Sequence, residues 1–169
     1  MYTLPEDAPD KLVKLLKDWQ NTADRHPPTQ HDLPFDDLVD EHPGLMLIEL
    51  VQSDDGDLDL KHVRVGPAHF LHTGTRLEGK LYSQILYPKV LDRMIAVYRA
   101  VLETGEPHYW QRINSVFGAP PVEFSRLLLP LYDDQGKAHC LIGSWVWKDD
   151  DAARTAQDGP VIAEKKPLG

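Results

Sequence analysis

Apolar residues recur at two different periods along the chain, and the change of period marks its elements. In "PDKLVKLLKDWQN" (9–21), Leu12, Leu15, Leu16 and Trp19 fall at helical spacing, while Lys11, Lys14, Lys17 and Asp18 take the other face. The spacing predicts an amphipathic helix, with Asp7 or Asp10 at its start. "DRHPPTQHDLP" ends it with three prolines and forms a linker, and "PFDDLVDEHPG" reads as a short helical turn. "GLMLIELVQ" (44–52) is too short and too aliphatic for a surface helix and reads as a strand. "SDDGD" follows, with Asp55-Gly56 as a hairpin signal, and "LDLKHVRVG" (58–66) is the return strand. Short helical pieces separated by Gly74 and Gly79 come next.

The period then returns to that of a helix in "PKVLDRMIAVYRAVLETG". Val90, Leu91, Met94, Ile95, Tyr98, Val101 and Leu102 form one stripe, and Lys89, Asp92, Arg93, Arg99 and Glu103 face water. Pro88 suits the first turn and Gly105 is a natural stop. The helix is roughly 26 Å long, enough to cross a sheet. Three strands follow, "HYWQRINSVFG", "VEFSRLLLPLY" and "AHCLIGSWVW", joined by the turns "APP" and "DDQG". After Trp147 the chain has the composition of a solvated tail.

Strands joined by short turns mean an antiparallel sheet, with the central helices on one face. "LMLIELV", "RLLLPL" and "CLIGSWVW" are apolar at successive positions, so the second face must also be covered. The N-terminal helix is the available cover, from its own chain or from a partner. An uncovered apolar face is rare in a soluble monomer. The expectation is that this helix covers the outer face and helps form a homodimer, with Leu12, Leu15, Leu16 and Trp19 at the interface.

Composition narrows the function classes. A chain of 169 residues is of one-domain length, and its net charge of -9 argues against non-specific nucleic-acid binding and against an anionic membrane surface. The single cysteine, Cys140, excludes an intrachain disulfide and a CxxC zinc knuckle. "MYTLPEDAPD" does not read as a secretory signal, and no apolar run approaches the roughly 20 residues of a spanning helix. A soluble, cytoplasmic protein is expected.

The order of elements, together with "KHVRVGPAHFLHTGTRLEGK", "VYRAVLETGEP" and "RLLLPLYDDQG", resembles the PAS domain family. Within it, the match is to a bacterial subgroup of often small single-domain proteins. The resemblance covers roughly residues 43–148. It implies an α+β fold: a five-stranded antiparallel sheet with helices on one face and a flanking N-terminal helix. It also implies a cavity between sheet and helices, and a role as a signalling sensor or interaction module, often dimeric. The chain then divides into an N-terminal helix and linker (1–42), the PAS-like domain (43–148) and a polar tail (149–169). No output domain is expected on this chain. The expected binding partner is a small ligand or a protein, and neither nucleic acid nor membrane.

Candidate chemistry is sparse. GxSxG, HExxH, GxGxxG and GxxxxGK[ST] do not occur, and no catalytic residue is assigned. His69 and His72, at i and i+3, make an incomplete metal site, and no metal is expected. The resemblance raises haem and flavin, and neither is expected. The long helix has no histidine, and Cys140 lies in the last strand without the Asn-Cys-Arg-Phe type motif of flavin photosensors. The cavity candidates are Phe70, Leu71, Tyr82, Ile85 and Tyr98 from the helices and Trp110, Arg112 and Arg126 from the sheet. Charge in a strand is expensive unless paired or exposed. The two arginines therefore either point outward or hold an anionic group by a bidentate contact. The rival reading is a small cone-fold enzyme of the ketosteroid-isomerase or limonene-hydrolase type, which needs a carboxylate such as Glu49 or Glu123 inside the cavity.

Overall fold

Both faces of one sheet are built from a handful of apolar strands, and each face acquires its own layer of helix. The computed structural model describes residues 1–114 and 122–148. The turn expected at 119–121, the end of the third strand and the tail at 149–169 lie outside the described residues.

The elements are α1 (Asp10–Ala23), α2 (Phe35–Leu38), β1 (Leu45–Gln52), β2 (Leu58–Val65), α3 (Ala68–Thr73), a 3-10 turn (Tyr82–Gln84), α4 (Pro88–Thr104), β3 (His108–Asn114), β4 (Val122–Tyr132) and β5 (Ala138–Trp147). The strand order is β2-β1-β5-β4-β3 and every neighbouring pair is antiparallel. β1 and β2 close through the Ser53–Asp57 turn, where Gly56 N–H donates to the Ser53 carbonyl over 2.9 Å. Between β1 and β2 the register slips by one residue, so Leu47 faces Arg64 and Ile48 faces His62. The extra residue, Val63, joins the outer layer.

Side chains alternate across the sheet. In β4, Leu127, Leu129 and Leu131 belong to the outer layer, and Leu128 to the inner one. The inner layer holds α3, the 3-10 turn and α4. Pro88 opens α4 and Gly105 ends it in the left-handed region, at φ 71°. Of the predicted α4 stripe, Val90, Tyr98 and Val101 are buried, and Leu91, Met94, Ile95 and Leu102 are half-buried against the same core.

The outer layer is α1 of the same chain. Leu12, Leu15, Leu16 and Trp19 are buried against Leu45, Leu47, Leu127, Leu129, Leu131 and Ile142. Each such side chain contributes about 1.5–3 kcal/mol on full burial. The Trp19 Nε1–H donates to the Pro130 carbonyl at 2.9 Å, and Tyr132 N–H donates to the Pro28 carbonyl at 2.8 Å. The double proline therefore carries the linker along β4, beyond the end of β3. This corrects the assignment of the α1 stripe to a dimer interface. The helix covers the outer face as expected, but the face is its own, and the stripe leaves nothing apolar for a partner.

Gly66 explains how the chain leaves β2. Its N–H donates to the Leu45 carbonyl at 2.7 Å, and a Cβ there would lie 2.3 Å from the Pro43 carbonyl oxygen. Only glycine lets the two backbones come this close. The turn sends α3 back over the sheet.

Candidate functional site

Three residues line up across the inner face of the sheet. Trp110 on β3 is opposite Arg126 on β4, which is opposite Trp145 on β5. Arg126 is 1 % exposed. Its guanidinium lies 3.7 Å from the centre of the Trp110 ring and 5.9 Å from that of Trp145. Gly143, two residues before Trp145, makes this packing feasible: a Cβ there would lie 2.6 Å from the Trp145 ring.

α4 supplies the next contact. Tyr98 is fully buried, and its hydroxyl accepts from Arg126 Nη1 at 3.3 Å. Tyr82, from the 3-10 turn, meets Tyr98 edge to face and donates to the Met46 sulfur at 3.4 Å. Burial, with Tyr98 beside it, pushes the Tyr82 phenol well above its ordinary pKa, so Tyr82 keeps its proton. On the strand side, Arg126 Nη2 donates to His108 Nδ1 at 3.4 Å. Burial first, then Arg126 and Arg112, depress the His108 imidazole to about 4, so it stays neutral and can accept.

The balance of charge is the unusual feature. Arg126 has no carboxylate partner among the described residues, and its Nε–H is buried with no acceptor. Burial pulls the guanidinium pKa down from its ordinary value. Stacking on indole recovers part of the lost hydration. An uncompensated buried charge still costs several kcal/mol.

Of the sequence candidates, Tyr82, Tyr98, Trp110, Arg112 and Arg126 come together here. Arg112 stacks on the same Trp110 ring at 3.7 Å, half-buried on the edge strand. The outward reading of Arg126 is corrected: it is the largest fully buried side chain of the chain's described residues. Ile85 packs at the margin of the inner layer. Phe70 and Leu71 do not join, being 46 % and 38 % exposed. α3 is a six-residue helix whose inward positions are Ala68, His69 and Thr73, and these two residues fall on the other side. His108 and Trp145 were missed. The signal was available in the alternation, since His108 shares a face with Trp110.

The α3 histidines bolt the helix down rather than face one another across a metal. His69 Nε2–H donates to the Gly44 carbonyl at 2.8 Å, and its ring meets Trp145 and Trp147 edge-on. Burial holds its pKa at about 3. His72 stacks on Trp147, with ring centres 3.7 Å apart. Glu49 and Glu123 lie on the outer face by alternation, Glu49 opposite Cys140 and Glu123 paired with Lys148 at 3.1 Å. The cone-fold enzyme reading thereby loses its mechanism.

A central β5 that pairs with the first strand, and α3 and α4 inserted between β2 and β3 on one face, are the topology the resemblance implies. The fold is a PAS fold. No family model and no curated protein matches the chain. Solved structures similar to this chain include a light-oxygen-voltage domain studied with a flavin analogue (15% identity, 71% of this chain and 87% of that one, TM-score 0.48). Another is the PAS domain of Bordetella pertussis BvgS (17% identity, 68% and 83%, TM-score 0.41). A third is the dark-state light-oxygen-voltage domain of the photoreceptor Aureochrome1 (13% identity, 74% and 90%, TM-score 0.45). The residues present do not fit a photoreactive flavin in the inner layer. The one cysteine of the sequence, Cys140, lies in the outer layer, and burial pushes its thiol up to about 12.

Proposed function

We propose that this chain is a PAS-type sensory or regulatory module that holds a small anionic ligand between its sheet and α4, with a protein partner as its output. The observation that carries this reading is Arg126, buried without a counter-charge among the described residues and with an N–H left unbonded. Perturbed, desolvated charges of this kind concentrate at functional sites. A ligand anion would supply the missing acceptor and compensate the charge in a single step.

Native mass spectrometry of the protein purified from its own host tests the reading. The expected result is a retained small molecule on the parent protein that is absent from Arg126→Met. An identical mass balance in both, with no retained molecule, would count against it. The same spectra report the oligomeric state and so test the expected homodimer.

A further inference from the structure

We propose that the ligand held at Arg126 is a small monocarboxylate with an apolar body. This deepens, and rests on, the reading of Arg126 as a ligand site. Three observations converge on the class.

The first is the count of charge. One guanidinium is fully buried in the inner layer, no carboxylate among the described residues pairs with it, and the His108 ring beside it is neutral. A single negative charge neutralises this layer. A phosphate group, carrying close to two, would leave an excess charge buried. Arg112 stacks on the same indole but is half-buried on the edge strand, where solvent takes up part of its charge.

The second is the shape of the free donors. Nη1 and Nη2 each spend one of their two hydrogens, on Tyr98 and His108 respectively. Nε–H is unbonded. Of the three donors that remain in the guanidinium plane, one each on Nη1, Nη2 and Nε, those of Nε and Nη2 share one edge of the fork. That spacing matches the two oxygens of a carboxylate taken side-on.

The third is the wall. Trp110, Trp145, Tyr98, Tyr82, Met46 and Leu128 surround the guanidinium or build the core around it. These surfaces favour an apolar or aromatic body and offer little to hydrogen-bond a polyhydroxylated one. Trp110, on the edge strand, and Trp145 are both only half-buried, so the wall meets solvent at the two indoles.

The test uses the full chain with benzoate, phenylacetate and octanoate, against benzamide and phenyl phosphate as matched probes. Binding is followed by calorimetry and by the melting temperature. The carboxylates are expected to bind and to raise the melting temperature, and benzamide to do neither. Arg126→Met is expected to weaken carboxylate binding by about 10- to 100-fold while melting no lower than the parent protein. Arg126→Lys, which keeps the charge but loses the fork, is expected to fall between them. Tighter binding of phenyl phosphate than of benzoate would overturn the carboxylate assignment and leave the ligand site standing. Carboxylate binding that is unchanged in Arg126→Met would overturn both. No response to any probe would overturn the assignment, and the mass spectrum from the host then decides the site itself.

Discussion

The indole N–H of Trp19 donates to the carbonyl of Pro130 across 2.9 Å, tying α1 to the inner strand β4. Pro130 has no N–H to give the sheet, and it lies beyond the last β3 pairing, at Leu128. The N-terminal segment therefore takes over where β3 stops, with Trp19 on Pro130 and the Pro28 carbonyl on Tyr132 N–H.

Trp19→Phe should keep most of the ring packing and lose this hydrogen bond. The expected cost is about 1 kcal/mol, against about 3–5 kcal/mol for Trp19→Ala. Urea denaturation of the two variants beside the parent protein measures the difference. Equal costs would mean that the hydrogen bond contributes nothing beyond packing.

Arg126→Met should be neutral or stabilising in the absence of ligand. It removes an uncompensated buried charge and puts an apolar side chain of adaptable shape in its place. Thermal melts of dialysed protein check this. A clear loss of stability would indicate that the stacking on Trp110 and the bond to Tyr98 outweigh the desolvation of the guanidinium.

Stability should fall as the medium is acidified. His62 is held at about 4, chiefly by burial, His69 at about 3 and His108 at about 4. Each is neutral in the folded protein, whereas the unfolded chain takes up protons below about 6.5. The unfolded state binds more protons between that value and the folded pKa values. The contribution of these groups is thus complete above about 6.5 and is lost as pH falls toward 4. Urea midpoints at pH 7 and pH 5 measure the loss, and His69→Gln should flatten the dependence. A midpoint that rises on acidification would contradict the assignment.

Gly66→Ala should cost about 1–3 kcal/mol, because the new methyl would be driven onto the Pro43 carbonyl, 2.3 Å away. Gly136 has open space around it but a φ of 75°. Its alanine variant should lose only the smaller backbone term of about 1 kcal/mol. Comparing the two denaturation curves separates steric contact from backbone conformation.

The architecture was legible because period and punctuation are local properties. α1, α4 and the Asp55-Gly56 hairpin follow from spacing and from two or three residues at each end. The site was legible only in part. That Arg126 and Tyr98 share a layer follows from alternation in β4 and the stripe of α4. That Trp145 lies opposite Arg126 depends on how β5 pairs with β4, including an irregularity between Leu131 and Tyr132 that no turn signal records. An arginine in an apolar strand is equally consistent with either face until its neighbours are known. The apolar character of Phe70 and Leu71 points to burial, whereas the rotation of a six-residue helix is set by its contacts through His69. The α1 stripe announced that it would cover a sheet without saying whose.

Cys140 sits in the outer layer, with its sulfur 3.6 Å from the Gln30 side-chain nitrogen and no exposed surface. Being the one thiol of the sequence, it is a built-in clock for that layer. A thiol reagent reaches it only when the 28–33 segment and α1 lift from the sheet, so the labelling rate under native conditions counts those openings without any added probe. β4 is the wall between the two compartments, with Arg126 on one side and Leu127, Leu129 and Leu131 on the other. A ligand that fills the inner compartment and tightens β4 would slow the clock, and one that distorts β4 would speed it.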